Sequence, residues 1–274
     1  MHNLLVRCGS AFSTRLILGY ITQNRSEGDM ADTLAPAKPG RSSAGPAHKK
    51  APVSVAAQTA AKTAKWVALA SGKGGCGKTT SSLNLATIAA AEGLTVLLLD
   101  ADEQQTLSTW HRLREKLDGV PTIRLVTAPL SSFAHAVREI EAMADIDLVI
   151  VDTPPGLDNQ AGVSQVVRRV DFTLIPSSQA KPDMDSAVEF MGALAALGSR
   201  GAFLLTKTSQ RWGSYRSAKK RLNGAGDLCP VDVRFLRDIE ATHEFGVGVN
   251  ELNGRRGADD MEAVWDFVRK SLGI

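Results

Sequence analysis

The sequence predicts an α/β domain, a mostly parallel sheet covered by helices on both faces. From Trp66 onward, short apolar runs alternate with longer helix-like runs to the end of the chain. The apolar runs are rich in Val, Ile and Leu without polar alternation, as strands buried on both faces are. The first of them, Trp66 to Ala70, leads through a glycine-rich loop into a helix-like run from Ser81 to Ala91. Strands are expected at 66–70, 95–100, 122–126, 147–151, 171–175, 201–206 and 231–235. Helices are expected between them, at 79–92, 104–117, 131–144, 160–169, 183–198, 211–223, 238–246 and 258–272. Such alternation builds parallel crossover units. No change of composition divides it, so residues 65–274 read as one domain.

Residues 1–64 read as a disordered basic N-terminal extension. Stretches such as Ala35-Pro36-Ala37-Lys38-Pro39-Gly40 offer little to bury. Residues 1–65 hold nine Lys/Arg against three Asp/Glu, so the basic character of the chain comes from there and the rest is net acidic. Overall pI is therefore no argument for nucleic acid. Arg7 and Arg15 occur without an acid near Leu16-Ile17-Leu18. That run is too broken for a secretory signal and too short to span a bilayer. A transit-like peptide and an upstream extension ahead of Met30 both stay open. Cys8, Cys76 and Cys229 are widely spaced, which points to a reducing, cytosolic setting without disulfides.

The loop Ser71-Gly72-Lys73-Gly74-Gly75-Cys76-Gly77-Lys78-Thr79-Thr80 fits a phosphate. Its glycines let backbone N–H groups approach a ligand, and the helix behind aims its positive end at the same point. Gly72-x4-Gly77-Lys78-Thr79 is a complete P-loop pattern between a strand and a helix. Gly74, Gly75, Cys76, Gly77, Lys78, Thr79 and Thr80 are the expected nucleotide contacts, and Thr79 also offers a hydroxyl to Mg²⁺.

Two further strands end in carboxylates: Val96 to Leu99 in Asp100-Ala101-Asp102, and Leu148 to Val151 in Asp152. Ligands of open parallel sheets bind at the carboxyl ends of strands, beside the phosphate loop. One of Asp100 and Asp102 could orient the attacking water and the other hold Mg²⁺; equally, acids there can cap the next helix. Asp152, followed by Thr153-Pro154-Pro155-Gly156, has Walker B architecture, and the loop 153–160 reads as a γ-phosphate sensor. Thr79 and Asp152, with Asp100 where it is the acid of that pair that holds the ion, are the expected metal ligands, and ATP and Mg²⁺ the expected cofactors.

Lys73-Gly74-Gly75-Cys76-Gly77-Lys78-Thr79-Thr80, with Asp100-x-Asp102 and Val151-Asp152-Thr153-Pro154-Pro155-Gly156, resembles the deviant Walker A ATPases of the ParA/MinD family over roughly 66–270. The resemblance implies a dimer that sandwiches two ATP molecules. It makes Lys73 a lysine acting in the partner's site, Lys78 the lysine of its own site, Asp102 the water-orienting acid and Asp152 the Walker B acid. A lysine in trans neutralises phosphate charge only in the dimer, which couples ATP to dimerisation.

Asp100-x-Asp102-x-Gln104 is similar to the ParA branch, although Glu103 stands where that branch has proline. Leu204-Leu205-Thr206-Lys207 occupies the place where many relatives have an Asn-Arg pair that contacts adenine. No adenine contact is carried over.

Between Glu189 and Asp227 there is no acid and there are seven basic residues. Arg211, Arg216, Lys219, Lys220 and Arg221 are the candidate DNA-phosphate contacts, against the plainer reading of a solvated helix face. The ParA resemblance implies an ATP-dependent homodimer on non-specific DNA, cytoplasmic and nucleoid-associated, positioning plasmid, chromosome or other cargo with a ParB-like adaptor that stimulates hydrolysis. Two alternatives share the fold: a MinD-like membrane positioner, and an ATP-dependent small-molecule ligase or kinase. The last helix mixes Asp259, Asp260, Glu262 and Asp266 with Arg269 and Lys270, where a membrane-surface helix would be basic. It is expected to dock on the core. His111, His135 and His243 have no constellation around them and read as packed or surface residues.

Overall fold

The computed structural model describes residues 64–156 and 160–274. The N-terminal extension and residues 157–159 of the expected sensor loop lie outside the described residues.

Six parallel strands form one sheet: β1 (Lys65–Leu69), β2 (Val96–Asp100), β3 (Arg124–Thr127), β4 (Leu148–Asp152), β5 (Phe172–Ser177) and β6 (Gly201–Leu205), in the order β3-β2-β4-β1-β5-β6. Eight α-helices accompany them among the described residues: α1 (Lys78–Ala91), α2 (Thr106–Arg114), α3 (Phe133–Glu141), α4 (Gln160–Arg169), α5 (Lys181–Ala196), α6 (Ser214–Asn223), α7 (Arg237–Phe245) and α8 (Ala258–Leu272). Side chains alternate across each strand, so β1 sends Val67 and Leu69 to one face and Trp66 and Ala68 to the other. The first face is covered by α1, α2, α7 and α8, the second by α3, α4, α5 and α6.

The expected strand at 231–235 does not form. Residues 227–235 run beside β6 and the turn after it, and bond there through Asp227 O, Cys229 N–H and Val233 N–H, but they make isolated bridges, Phe203 to Leu228 and Thr208 to Arg234, rather than a ladder. Pro230 brings no N–H to a ladder, and Asp232 turns instead to Thr208, Tyr215 and Lys219.

Helix α1 is buried on every side from Ser81 to Ala90. Its small residues let the sheet, α7 and α8 approach closely, and its polar ones are satisfied: Asn84 donates to Thr80 O at 2.7 Å and Thr87 to Asn250 Oδ1 at 2.9 Å. Helix α8 docks as expected. Met261, Val264, Trp265, Val268 and Leu272 enter the core, and Trp265 donates its indole N–H to Glu92 at 2.9 Å. The apolar face that a membrane-surface helix would present is thus spent inside the protein. Among the described residues no helix is long and apolar enough to cross a membrane.

Candidate nucleotide site

The carboxyl ends of β1, β2, β4 and β6 converge on the loop 70–77. Gly75 and Gly77 have φ of 75° and 94°, the left-handed region that suits glycine, and they turn the chain into α1. The loop is clamped from both sides. Thr206, just past β6, donates its hydroxyl to Cys76 O at 2.7 Å. Pro155, past β4, stands 3.5 Å from where a Cβ on Gly74 would lie. Inside the loop the buried Lys78 ammonium donates to Lys73 O at 3.0 Å and to Ser71 Oγ at 3.4 Å. The Lys73 side chain points to solvent.

A cavity of about 180 Å³ opens above the loop, lined by Gly74, Gly75, Gly77, Lys78, Thr79, Thr80, Asp102, Pro155 and Lys207. The first seven are expected site residues, Pro155 belongs to the expected sensor loop, and Lys207 lies in the stretch where many relatives contact adenine. Cys76 faces inward, its thiol 2.9 Å from Ser71 Oγ, and contributes backbone only.

Asp152 is buried at the end of β4. It accepts hydrogen bonds from Thr79 Oγ1 at 2.7 Å and Ser82 Oγ at 3.1 Å. Burial pushes its carboxyl up to about 7; the Thr79 hydroxyl and Lys78 work against that, while neighbouring Asp100 adds to it. A carboxylate held uncomfortably in a dry site, with a hydroxyl beside it, is a hard-oxygen pair suited to Mg²⁺. Among the described residues no group of three or more His, Cys, Asp or Glu could hold a metal alone. A cation here would draw its remaining ligands from phosphates and water, as Mg²⁺ commonly does.

Asp100 has a different occupation. Its Oδ2 accepts from Ser108 N–H at 2.9 Å and Ser108 Oγ at 2.6 Å, and its Oδ1 from Asp102 N–H at 3.2 Å. The residue before α2, Gln105, sits at φ 52° and makes no side-chain cap. Asp100 supplies that cap from the neighbouring strand. It also fixes the turn that carries Asp102, whose own Oδ1 accepts Gln104 N–H at 3.0 Å. Asp102 is partly buried and faces the cavity.

Two residues at the site are given no role by the sequence. Thr206 lies where the family pattern departs. His243, on α7, places Nε2 2.8 Å from Thr80 Oγ1 across 163 positions of sequence. It was expected as an isolated histidine, and only the packing of α7 on α1 brings it to the loop. Burial holds its imidazole below the usual histidine range.

The basic stretch changes character in space. Helix α6 begins at Ser214, so Arg211 falls in the preceding turn. Lys219 is paired with Asp232 at 3.0 Å and Arg221 with Asp185. The acids missing from the local sequence thus arrive from α5 and from the segment after α6. Arg211, Arg216 and Lys220 are exposed and have no ion pair among the described residues.

A parallel sheet with a P-loop after its central strand β1, and acids ending the adjacent strand β4 and the next strand β2, defines a nucleoside-phosphate-binding protein of the P-loop class. Residues 67–264 match the family described as the CobQ/CobB/MinD/ParA nucleotide binding domain, and the chain belongs to that family. It is 32% identical over 205 residues to the maintenance of carboxysome distribution protein A of Gloeobacter kilaueensis, covering 74% of this chain and 90% of that one. It is 33% identical over 201 residues to protein ParA of Rhizobium radiobacter, covering 70% and 87%. The septum site-determining protein MinD of Pyrococcus horikoshii, solved with Mg-ADP, superposes with a TM-score of 0.61 at 16% identity, over 76% of this chain and 97% of that one. At that identity the likeness is one of fold.

Proposed function

We propose that this chain is an ATP-hydrolysing positioning switch. It dimerises on binding ATP, holds DNA without sequence preference as a dimer, and lets go when an adaptor protein of ParB type stimulates hydrolysis. The reading rests above all on the contrast between the two loop lysines. Lys78 is buried among the loop carbonyls, where it serves its own phosphates, whereas Lys73 is exposed to solvent. An exposed loop lysine has electrostatic work only if another anion comes to it, and the partner's nucleotide is such an anion.

In this reading Thr79 and Asp152 hold Mg²⁺, which when bound neutralises charge on the terminal phosphates. Asp100 is assigned to the α2 cap rather than to the ion. Asp102 orients the attacking water, and the P-loop N–H groups and Lys78 hold the leaving phosphates. The DNA contacts reduce to Arg211, Arg216 and Lys220, since Lys219 and Arg221 are already neutralised. A cytoplasmic, nucleoid-bound dimer is the working state. The relatives named for carboxysome distribution and for ParA support cargo positioning in general, and the cargo here is a DNA molecule or a large protein body.

The test is retention on DNA with ATP, with ADP and without nucleotide over a salt series. ATP-specific retention that weakens steeply with salt is expected. Equal retention in all three states would overturn the switch.

A further inference from the structure

Helix α7 reaches the rim of the P-loop cavity at two points one turn apart. His243 Nε2 lies 2.8 Å from the Thr80 hydroxyl, and Glu240 lies 3.8 Å from the Lys207 ammonium. Residues three apart share a helix face, so one face carries both contacts. Thr80, Gly77 and Lys207 line the P-loop cavity and also a narrow slot beside it, bounded by Val233, Phe235, Leu236 and Glu240. These three residues mark the junction between the two spaces. A nucleoside polyphosphate with its terminal phosphates over the loop and its nucleoside toward the slot would cross this junction at the phosphate nearest the sugar.

The Thr80 hydroxyl would not hold its direction there unaided. A helical threonine divides between rotamers, one of which bonds the carbonyl four residues back. For Thr80 the residue four back is Cys76, which lies before the helix across the left-handed Gly77 (φ 94°), and its carbonyl accepts the Thr206 hydroxyl at 2.7 Å. The helix thus offers Thr80 no carbonyl of its own to bond back to, and His243 supplies the partner. The imidazole is partly buried, and burial favours its neutral form. A neutral ring can donate to or accept from a hydroxyl according to tautomer.

Resting on the nucleotide-binding reading above, we infer that His243 is a positioning residue for nucleotide binding: it orients the Thr80 hydroxyl toward the phosphate that joins the nucleoside. The residue touches no reacting atom and acts through Thr80.

The test uses the full chain, a fluorescent ATP analogue, and competition by ATP and ADP. His243→Phe fills the space and removes the hydrogen bond. Affinity for both nucleotides is expected to fall about three- to tenfold, the range a single hydrogen bond commands. His243→Gln, which keeps a polar group near the same reach, recovers most of the loss. Thr80→Val loses a similar factor, and adding His243→Phe to Thr80→Val costs nothing further, because the two act through one bond. Thermal melts without nucleotide confirm that each variant is folded, and Thr80→Val provides the second route should His243→Phe be unstable. Unchanged affinity in His243→Phe, or losses that add in the double variant, would overturn the inference while leaving nucleotide binding intact. A wild-type chain that binds neither ATP nor ADP would overturn both.

Discussion

Substitution of Asp100 separates helix capping from metal binding. Asp100 is buried, and its carboxylate accepts three hydrogen bonds, from Ser108 N–H, Ser108 Oγ and Asp102 N–H. In Asp100→Ala the cap of α2 is lost, worth about 0.5–2 kcal/mol, and a buried N–H is left without a partner at about 1–3 kcal/mol. The two overlap, so a loss of roughly 2–4 kcal/mol is expected. In a domain of this size each kcal/mol moves the midpoint by about 2–4 °C, giving a fall of roughly 5–15 °C. Asp100→Asn keeps an oxygen for Ser108 but turns an amide donor toward Asp102 N–H, so its melt falls between those of wild type and Asp100→Ala. Thermal unfolding by circular dichroism reads the stability, and Mg²⁺ titration of ATP-analogue binding reads the metal. As a cap, Asp100→Asn lowers the melt and leaves the Mg²⁺ midpoint in place. A variant that melts like wild type yet needs far more Mg²⁺ would refute the capping argument and return Asp100 to the ion.

Four further outcomes are expected. Lys73→Ala retains ATP binding and loses ATP-dependent dimerisation by light scattering; normal dimers would remove its role in trans. Thr206→Val leaves Cys76 O without its hydroxyl partner and weakens ATP-analogue binding by about three- to tenfold, measured by fluorescence titration. Glu251→Ala strips the buried Arg114 of a bidentate partner at 2.8 Å to each oxygen; the loss is about 3–5 kcal/mol, seen as an early thermal transition. Cys229 is held neutral, its thiol pushed up by burial to about 11 from 9.0. The folded chain therefore favours the protonated thiol. Its contribution to stability is full below pH about 9 and is lost as pH rises toward about 11, which denaturant melts across that window would detect.

Much of the fold was legible because its signals are local. Apolar runs of strand length, each followed by a helix-length run, announced six of the seven expected strands and all eight helices. The seventh strand failed on Pro230 and on the pull of Asp232 toward α6, a competition that β-propensity does not register. The phosphate loop was legible for the same local reason: glycine spacing, Lys78 and Thr79 all act within one turn of chain.

The charge pattern near α6 was the least transferable reading. Absence of acid between Glu189 and Asp227 is a fact about sequence neighbours, and ion pairs form between spatial ones. Asp185 and Asp232 lie just outside that interval and fold back onto Arg221 and Lys219. The same limit hid His243, whose partner Thr80 is in another part of the chain.

By itself the sequence determined a parallel α/β sheet, a phosphate loop at its first strand, and acids at the ends of two others. Those follow from short-range sterics, hydrophobic periodicity and the direction of a helix dipole. Tertiary structure alone decided what each polar group does. It gave Asp100 to a helix cap, set Asp152 against the Thr79 and Ser82 hydroxyls, clamped the loop with Thr206, and set His243 against Thr80. A carboxylate or an imidazole takes its role from whichever partner packing brings within 3 Å or so, and nothing in the spacing of residues along the chain fixes that partner.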